Sequence, residues 1–151
     1  MKQVFYRTPS LRQEDVKRDW HLVDVKDQIL GKQAVVIAKL LMGKHKVGFT
    51  NHTDNGDFVV VINAAQVAVT GNKEQDKMYY RHSGHPGNLK EENLAHLRSR
   101  QPEQIIIQAV KNMLPKNRTQ AKRMARLKVF ALDQHPYGGQ ISTTNQQETT
   151  K

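Results

Sequence analysis

Phe58-Val59-Val60-Val61-Ile62 constrains this chain more than any other stretch. Five apolar residues in succession leave no alternate position for water, so the strand they form must be covered on both faces. Strands of that kind belong to parallel sheets, whose crossover connections lay helices over the sheet. The flanking sequence supplies the parts. Trp20-His21-Leu22-Val23-Asp24-Val25, rich in branched residues, reads as a first strand. Lys26-Asp27-Gln28 makes a turn, and Leu30 to Met42 follows as a helix with Ala34, Val35, Ile37, Ala38, Leu41 and Met42 on its apolar stripe. Gly43 stands where a helix C-terminus favours a left-handed residue.

Beyond the central strand, Val67-Ala68-Val69-Thr70 reads as a short strand closed by Gly71-Asn72, and Met78-Tyr79-Tyr80 as another. Asn88 with Glu91 three residues later fits a capping box opening a helix through Leu97. Pro102-Glu103 opens a further helix, with Ile106, Ala109, Val110, Met113 and Leu114 facing inward until Pro115 stops it. Thr119 to Leu127 forms a short basic helix and Val129 to Leu132 a last strand. Strands alternating with helices specify an α/β layered domain with a mainly parallel sheet.

The chain has 151 residues, enough for one domain with a real core. It divides into a polar N-terminal arm, 1–19, a single domain, 20–132, and a Gln-, Thr- and Asn-rich tail, 133–151, too polar to bury itself. Lys and Arg number 24 against 14 Asp and Glu, a net charge of +10. A surplus of that size repels itself, so a partner carrying negative charge is expected. Nucleic acid leads and an anionic membrane surface comes second. No apolar run reaches the roughly 18 residues of a membrane span, and Met1 to Asp15 has no apolar signal core. With no cysteine, disulfides and thiolate metal sites are excluded. These features predict a cytoplasmic location.

The charge is concentrated. Lys111, Lys116, Arg118, Lys122, Arg123, Arg126 and Lys128 follow one another with no Asp or Glu between them. In a helix over 119–127, Lys122, Arg123 and Arg126 share one arc, which suits cations spaced along a phosphate backbone. A solvated helix face is the plainer alternative, and it leaves the local repulsion unanswered. A second basic loop, Lys44-His45-Lys46, precedes Phe49 and His52, which have the rings to stack on an unpaired base. His82 and His85 lie in a glycine-rich loop without metal-ligand spacing, so no metal site is expected. Asp24, Asp54, Asp57 and Asp76 are scattered, and Asn55-Gly56-Asp57 reads as a turn. Gly71-Asn72-Lys73 lacks the rest of a phosphate-binding loop. Trp20 reads as an anchor of the core or arm.

The ordered pieces Lys17-Arg18-Asp19-Trp20, Gly43-Lys44-His45-Lys46, Gly56-Asp57, Val69-Thr70-Gly71-Asn72-Lys73, Tyr79-Tyr80, Gly84-His85, Met113-Leu114-Pro115-Lys116 and Leu127-Lys128-Val129 resemble the bacterial form of the thirteenth ribosomal-protein family of the large subunit. The matches keep their order from about residue 17 to 136. The resemblance implies a three-layer α/β/α domain around a four-stranded mainly parallel sheet. It implies a structural constituent of the large ribosomal subunit that binds its rRNA during early assembly, beside other ribosomal proteins. No catalysis, cofactor, metal, membrane or small-molecule substrate is implied. Carried over by position, the RNA-facing residues are Lys44, His45, Lys46, Lys73, Lys77, Tyr80, His82, His85, Lys111, Lys116, Arg118, Lys122, Arg123, Arg126 and Lys128. Asn112 replaces a usual glycine, Thr119-Gln120-Ala121-Lys122 replaces a glycine-containing stretch, and the ending after Tyr137 is unlike the usual one. The main rival is a small α/β enzyme acting on a nucleotide or nucleic acid through the Gly71-Asn72-Lys73 turn and His82 or His85. A free RNA-binding regulator is a third reading.

Overall fold

The computed structural model describes residues 12–141, so the first eleven residues of the arm and residues 142–151 of the tail lie outside the described residues. Three parallel strands form the main sheet in the order β1-β2-β5: β1 is Trp20–Asp24, β2 is Phe58–Ile62 and β5 is Leu127–Val129. The apolar run is the central strand, and Val59, Val60 and Val61 are all fully buried. Successive side chains point to opposite faces, so Val59 and Val61 meet the helices while Phe58, Val60 and Ile62 face the other way.

The helical face is covered by α1, Leu30–Met42, and α4, Pro102–Met113. Ala34, Ile37, Ala38 and Leu41 of α1 recur at helical spacing and are buried with Ile105, Ile106 and Val110 of α4. Val35 and Met113, expected on the inner faces, are exposed. The end of α1 is a two-bond cap: Gly43 N–H donates to the Leu40 carbonyl and Lys44 N–H to that of Lys39, with Gly43 at φ 77°. Pro102 occupies the first turn of α4, where a missing N–H costs nothing.

The sheet's second face is covered differently. Trp20 stacks on Phe58 at 4.4 Å and on Tyr137 at 5.2 Å, and Tyr137 also meets Phe130. Ile141 is buried as well. The segment after residue 132, read from its polarity as a tail, is therefore packed as far as 141 where it carries aromatic and aliphatic side chains.

Four expectations change. The parallel sheet has three strands, not four. Val67–Thr70 contributes only a bridge between Ala68 and Ile29, because Asn63 turns left-handed (φ 60°) and a 3-10 turn at Ala64–Gln66 breaks the continuity with β2. Residues 130–132 do not extend β5; their carbonyls accept from the N–H groups of residues 63–65 at that same turn. The predicted helix from Asn88 is instead strand β4, Leu89–Asn93, in full antiparallel register with β3, Met78–His82. Helix α3, Leu94–Arg100, starts at Asn93, whose side chain accepts from His96 N–H at 2.9 Å. The basic helix is shortened to α5, Gln120–Ala125. A one-turn helix α2, Lys73–Asp76, precedes the hairpin.

Candidate nucleic-acid interface

In a parallel sheet the residues just ahead of each strand gather at one edge. Here those residues are Asp19 before β1, Asp57 before β2 and Arg126 before β5, all charged. The end of α1 reaches the same edge, and two glycines let the backbone come close. A Cβ on Gly56 would lie 1.7 Å from the Leu41 carbonyl oxygen, and one on Gly43 would lie 2.5 Å from that of Asn55. The loop 54–57 is thereby pressed against the helix end, and its carboxylates are carried inside.

Two buried charge clusters result. Asp54 receives Arg126 in a two-pronged contact, Nη1 to Oδ2 at 2.6 Å and Nη2 to Oδ1 at 2.7 Å. Arg126 also reaches the Leu41 carbonyl at 3.4 Å. Arg123 Nε lies 3.5 Å from Asp54 Oδ1 without hydrogen-bond geometry, and Arg18 donates to the Asp54 carbonyl at 3.3 Å. Burial alone would raise the Asp54 pKa. The hydrogen bonds and charge of Arg126, with the charges of Arg123 and Arg18, outweigh burial and lower it.

Asp57, wholly buried, holds the second cluster. Oδ1 accepts from Lys46 Nζ and from Asp19 N–H at 3.0 Å; Oδ2 faces His45 Nε2 at 2.8 Å and His21 Nε2 at 3.1 Å. Lys46 also donates to the Lys17 carbonyl at 2.7 Å. Burial again pushes the carboxyl up, and the bonds from His21, Lys46 and Asp19 with the Lys46 charge more than reverse it, bringing Asp57 to about 2. His21, His45 and Asp57 each present one possible metal-ligand atom, within 4.8 Å of one another. The Lys46 ammonium already neutralises that carboxylate, which works against a second cation there.

The RNA-facing residues expected from the sequence thus fall into different environments. Arg123 and Arg126 are buried at 2% and 7% exposure, so the arc they were expected to share with Lys122 is turned inward at those two positions. His45 and Lys46 are tied to Asp57. Lys128 is half-buried on the sheet face opposite the helices. Lys44 in the loop after α1, Lys111 in the last turn of α4, Lys116 and Arg118 in the loop after α4 and Lys122 in α5 are exposed. Lys73, Lys77, Tyr80, His82 and His85 are exposed on α2 and the β3–β4 hairpin, a separate projection. There His82 Nδ1 accepts from Gly84 N–H at 3.0 Å, and Lys77 stands 5.4 Å over the Tyr79 ring.

Sequence reasoning missed the carboxylates at this edge, and it missed His21. The only signal for them was position: each lies within a few residues of a strand start. It also missed Arg98, whose Nε and Nη2 grip Glu74 while Nη1 bonds the Ala65 and Val67 carbonyls at 2.9 Å. That residue ties α3 to the turn after β2.

A family model described as ribosomal protein L13 matches residues 18–136. The chain belongs to the ribosomal protein L13 family. Among similar L13 proteins, one from Alcanivorax borkumensis is 52% identical over 134 residues, 89% of this chain and 94% of its own length. One from Beutenbergia cavernae is 48% identical, covering 91% and 94%, and one from Thermotoga petrophila is 47% identical, covering 89% and 90%. All three are named large ribosomal subunit protein uL13. The L13 region of this chain includes both charge clusters and the hairpin. Tyr137, which closes over Trp20, lies just past it. Among the described residues no helix is long and apolar enough to cross a membrane.

Proposed function

We propose that this chain is a structural constituent of the large ribosomal subunit, acting in the ribosome in the cytoplasm, and that it binds large-subunit rRNA directly. The observation that carries the ribosomal role is the match, over nearly the whole length of both chains, to relatives named large ribosomal subunit proteins. It is a structural protein rather than an enzyme. The rRNA contact is supported by charge placement. Several basic residues are spent on Asp54 and Asp57, yet exposed cations remain at Lys44, Lys111, Lys116, Arg118 and Lys122 with no carboxylate paired to them among the described residues. Fixed cations on a surface attract a phosphate backbone and release its counterions.

In this reading Lys73, Lys77, Tyr80, His82 and His85 form a second contact on the hairpin, where an exposed ring has access to an unpaired base. His45, Lys46, Arg123 and Arg126 act from behind, holding the loops that carry the exposed cations. Binding early in subunit assembly, beside neighbouring ribosomal proteins, completes the proposal. Sucrose-gradient fractionation of cells tests it: the protein is expected to sediment with large subunits and their precursors. Finding it only at the top of the gradient would sink the ribosomal role.

A further inference from the structure

Three side chains from separate segments converge where the strands of the main sheet begin. His21 stands on β1, His45 in the loop after α1 and Asp57 immediately before β2. Their Nε2, Nε2 and Oδ2 atoms all lie within 4.8 Å of one another, with Oδ2 2.8 Å from His45 and 3.1 Å from His21. Ligand atoms of a tetrahedral ion with bonds of about 2.0–2.1 Å stand roughly 3.3 Å apart. The two histidine–carboxylate contacts are therefore near the spacing such an ion requires, and rotation of the imidazoles closes the remaining one. The Asp57 side chain is wholly buried, while those of His21 and His45 keep 26% and 35% of their surface exposed. An ion would meet a fixed ligand on the inside and an open approach from solvent.

The Lys46 ammonium, which works against a further cation, also decides which ion can overcome it. Lys46 bonds Oδ1, as does Asp19 N–H at 3.0 Å, so Oδ2 is left to face the imidazoles. Hydrogen bonds of that kind orient a ligating carboxylate from behind. The ammonium weakens the charge attraction on which Mg²⁺ and Ca²⁺ depend, since those ions take oxygen ligands. It leaves the imidazole lone pairs untouched, and these suit Zn²⁺. Asp19, 3.7 Å from the same ammonium, returns negative charge to the cluster. We infer that His21, His45 and Asp57 bind one Zn²⁺ ion, with solvent in the fourth position. Each imidazole coordinates through Nε2 and carries its proton on Nδ1 when the ion is bound. The ion clips β1, the loop after α1 and the start of β2 together. The sequence showed no metal-ligand spacing because its ligands come from three separate segments.

The test titrates the full chain, stripped with a chelator and dialysed, with Zn²⁺ and separately with Mg²⁺. Calorimetry is expected to give one Zn²⁺ per chain. His21→Gln and His45→Gln are each expected to lower Zn²⁺ affinity by about ten-fold or more, the scale on which loss of a metal-site group is felt. A control pair on the hairpin, His82→Gln with His85→Gln, is expected to bind as the wild type does. Zn²⁺ is expected to raise the urea midpoint of the wild type and of the control pair but not that of His21→Gln, and metal-free midpoints check that each variant folds. Imidazole nitrogen NMR of the wild type needs no variant: Zn²⁺ is expected to shift His21 and His45 and to leave His52, His82, His85, His96 and His135 in place. If saturable Zn²⁺ binding is lacking, or the shifts fall on His82 and His85, the assignment is refuted. Wild-type affinity in both His21→Gln and His45→Gln overturns it as well. If Mg²⁺ binds as tightly as Zn²⁺, charge alone holds the ion and imidazole coordination is ruled out.

Discussion

Gly56 shows how much one missing side chain decides. With a Cβ 1.7 Å from the Leu41 carbonyl, the end of α1 and the loop 54–57 have to separate, and Asp54 and Asp57 move with the loop. Gly56→Ala is expected to cost about 3 kcal/mol, the upper range for overpacking a tight site. Gly31, in the first turn of α1, has nothing within 4 Å of its missing Cβ. Gly31→Ala is expected to stabilise by about 0.5 kcal/mol through the unfolded chain and helix propensity. Urea midpoints at constant m-value compare the two, and equal signs would refute the close-approach argument. Asp57 makes a second residue-level prediction. Its folded pKa of about 2 lies below the ordinary 3.8, so its contribution is complete above about pH 4 and is lost as pH falls toward 2. The difference amounts to about 2 kcal/mol. Asp57→Asn is expected to flatten the fall of the urea midpoint between pH 4 and 2, and an unchanged pH profile would show that Asp57 does not carry that dependence.

At the scale of elements, the competing readings of 88–97 turn on which asparagine caps a helix. Asn88 and Glu91 have capping-box spacing, but residues 89–93 have a partner strand, and five paired positions outweigh one cap. The cap moves to Asn93. Asn93→Ala is therefore expected to cost about 1 kcal/mol, and Asn88→Ala, which loses a solvent-exposed bond to Ser83, about half that or less. Thermal unfolding of the two variants measures this, and a larger loss at Asn88 would restore the helix reading. The elements legible in the sequence were those whose pattern is complete within themselves: the apolar run of β2, the stripe and glycine cap of α1, and the proline-opened α4. The hairpin strand β4 was not legible. Its sequence, Leu-Lys-Glu-Glu-Asn, has little strand character of its own, and Met78–His82 supplies the pairing from across the turn. β5 shifted for a similar reason, since the carbonyls of 130–132 are claimed by residues 63–65.

For the whole molecule, net charge and its distribution part company. The surplus of +10 favours a polyanion partner, but it does not say which cations stand exposed. Arg126→Ala removes the main partner of a buried carboxylate and is expected to cost about 3 kcal/mol. Lys122→Ala is expected to stay within about 0.5 kcal/mol. Chemical denaturation separates them, and comparable losses would mean that Arg126 is no more internal than Lys122. By itself the sequence determined the family, through the order of its motifs, and the class of sheet, its central strand and its main helices, through a periodicity that neighbours along the chain express together. The tertiary structure alone decided that the sheet has three strands, that the segment after β5 covers its second face, and that Arg123, Arg126, His45 and Lys46 serve two buried carboxylates. The physical reason is separation: Asp54 and Arg126 are 72 residues apart, and only closure of the parallel sheet brings their charges within reach of each other.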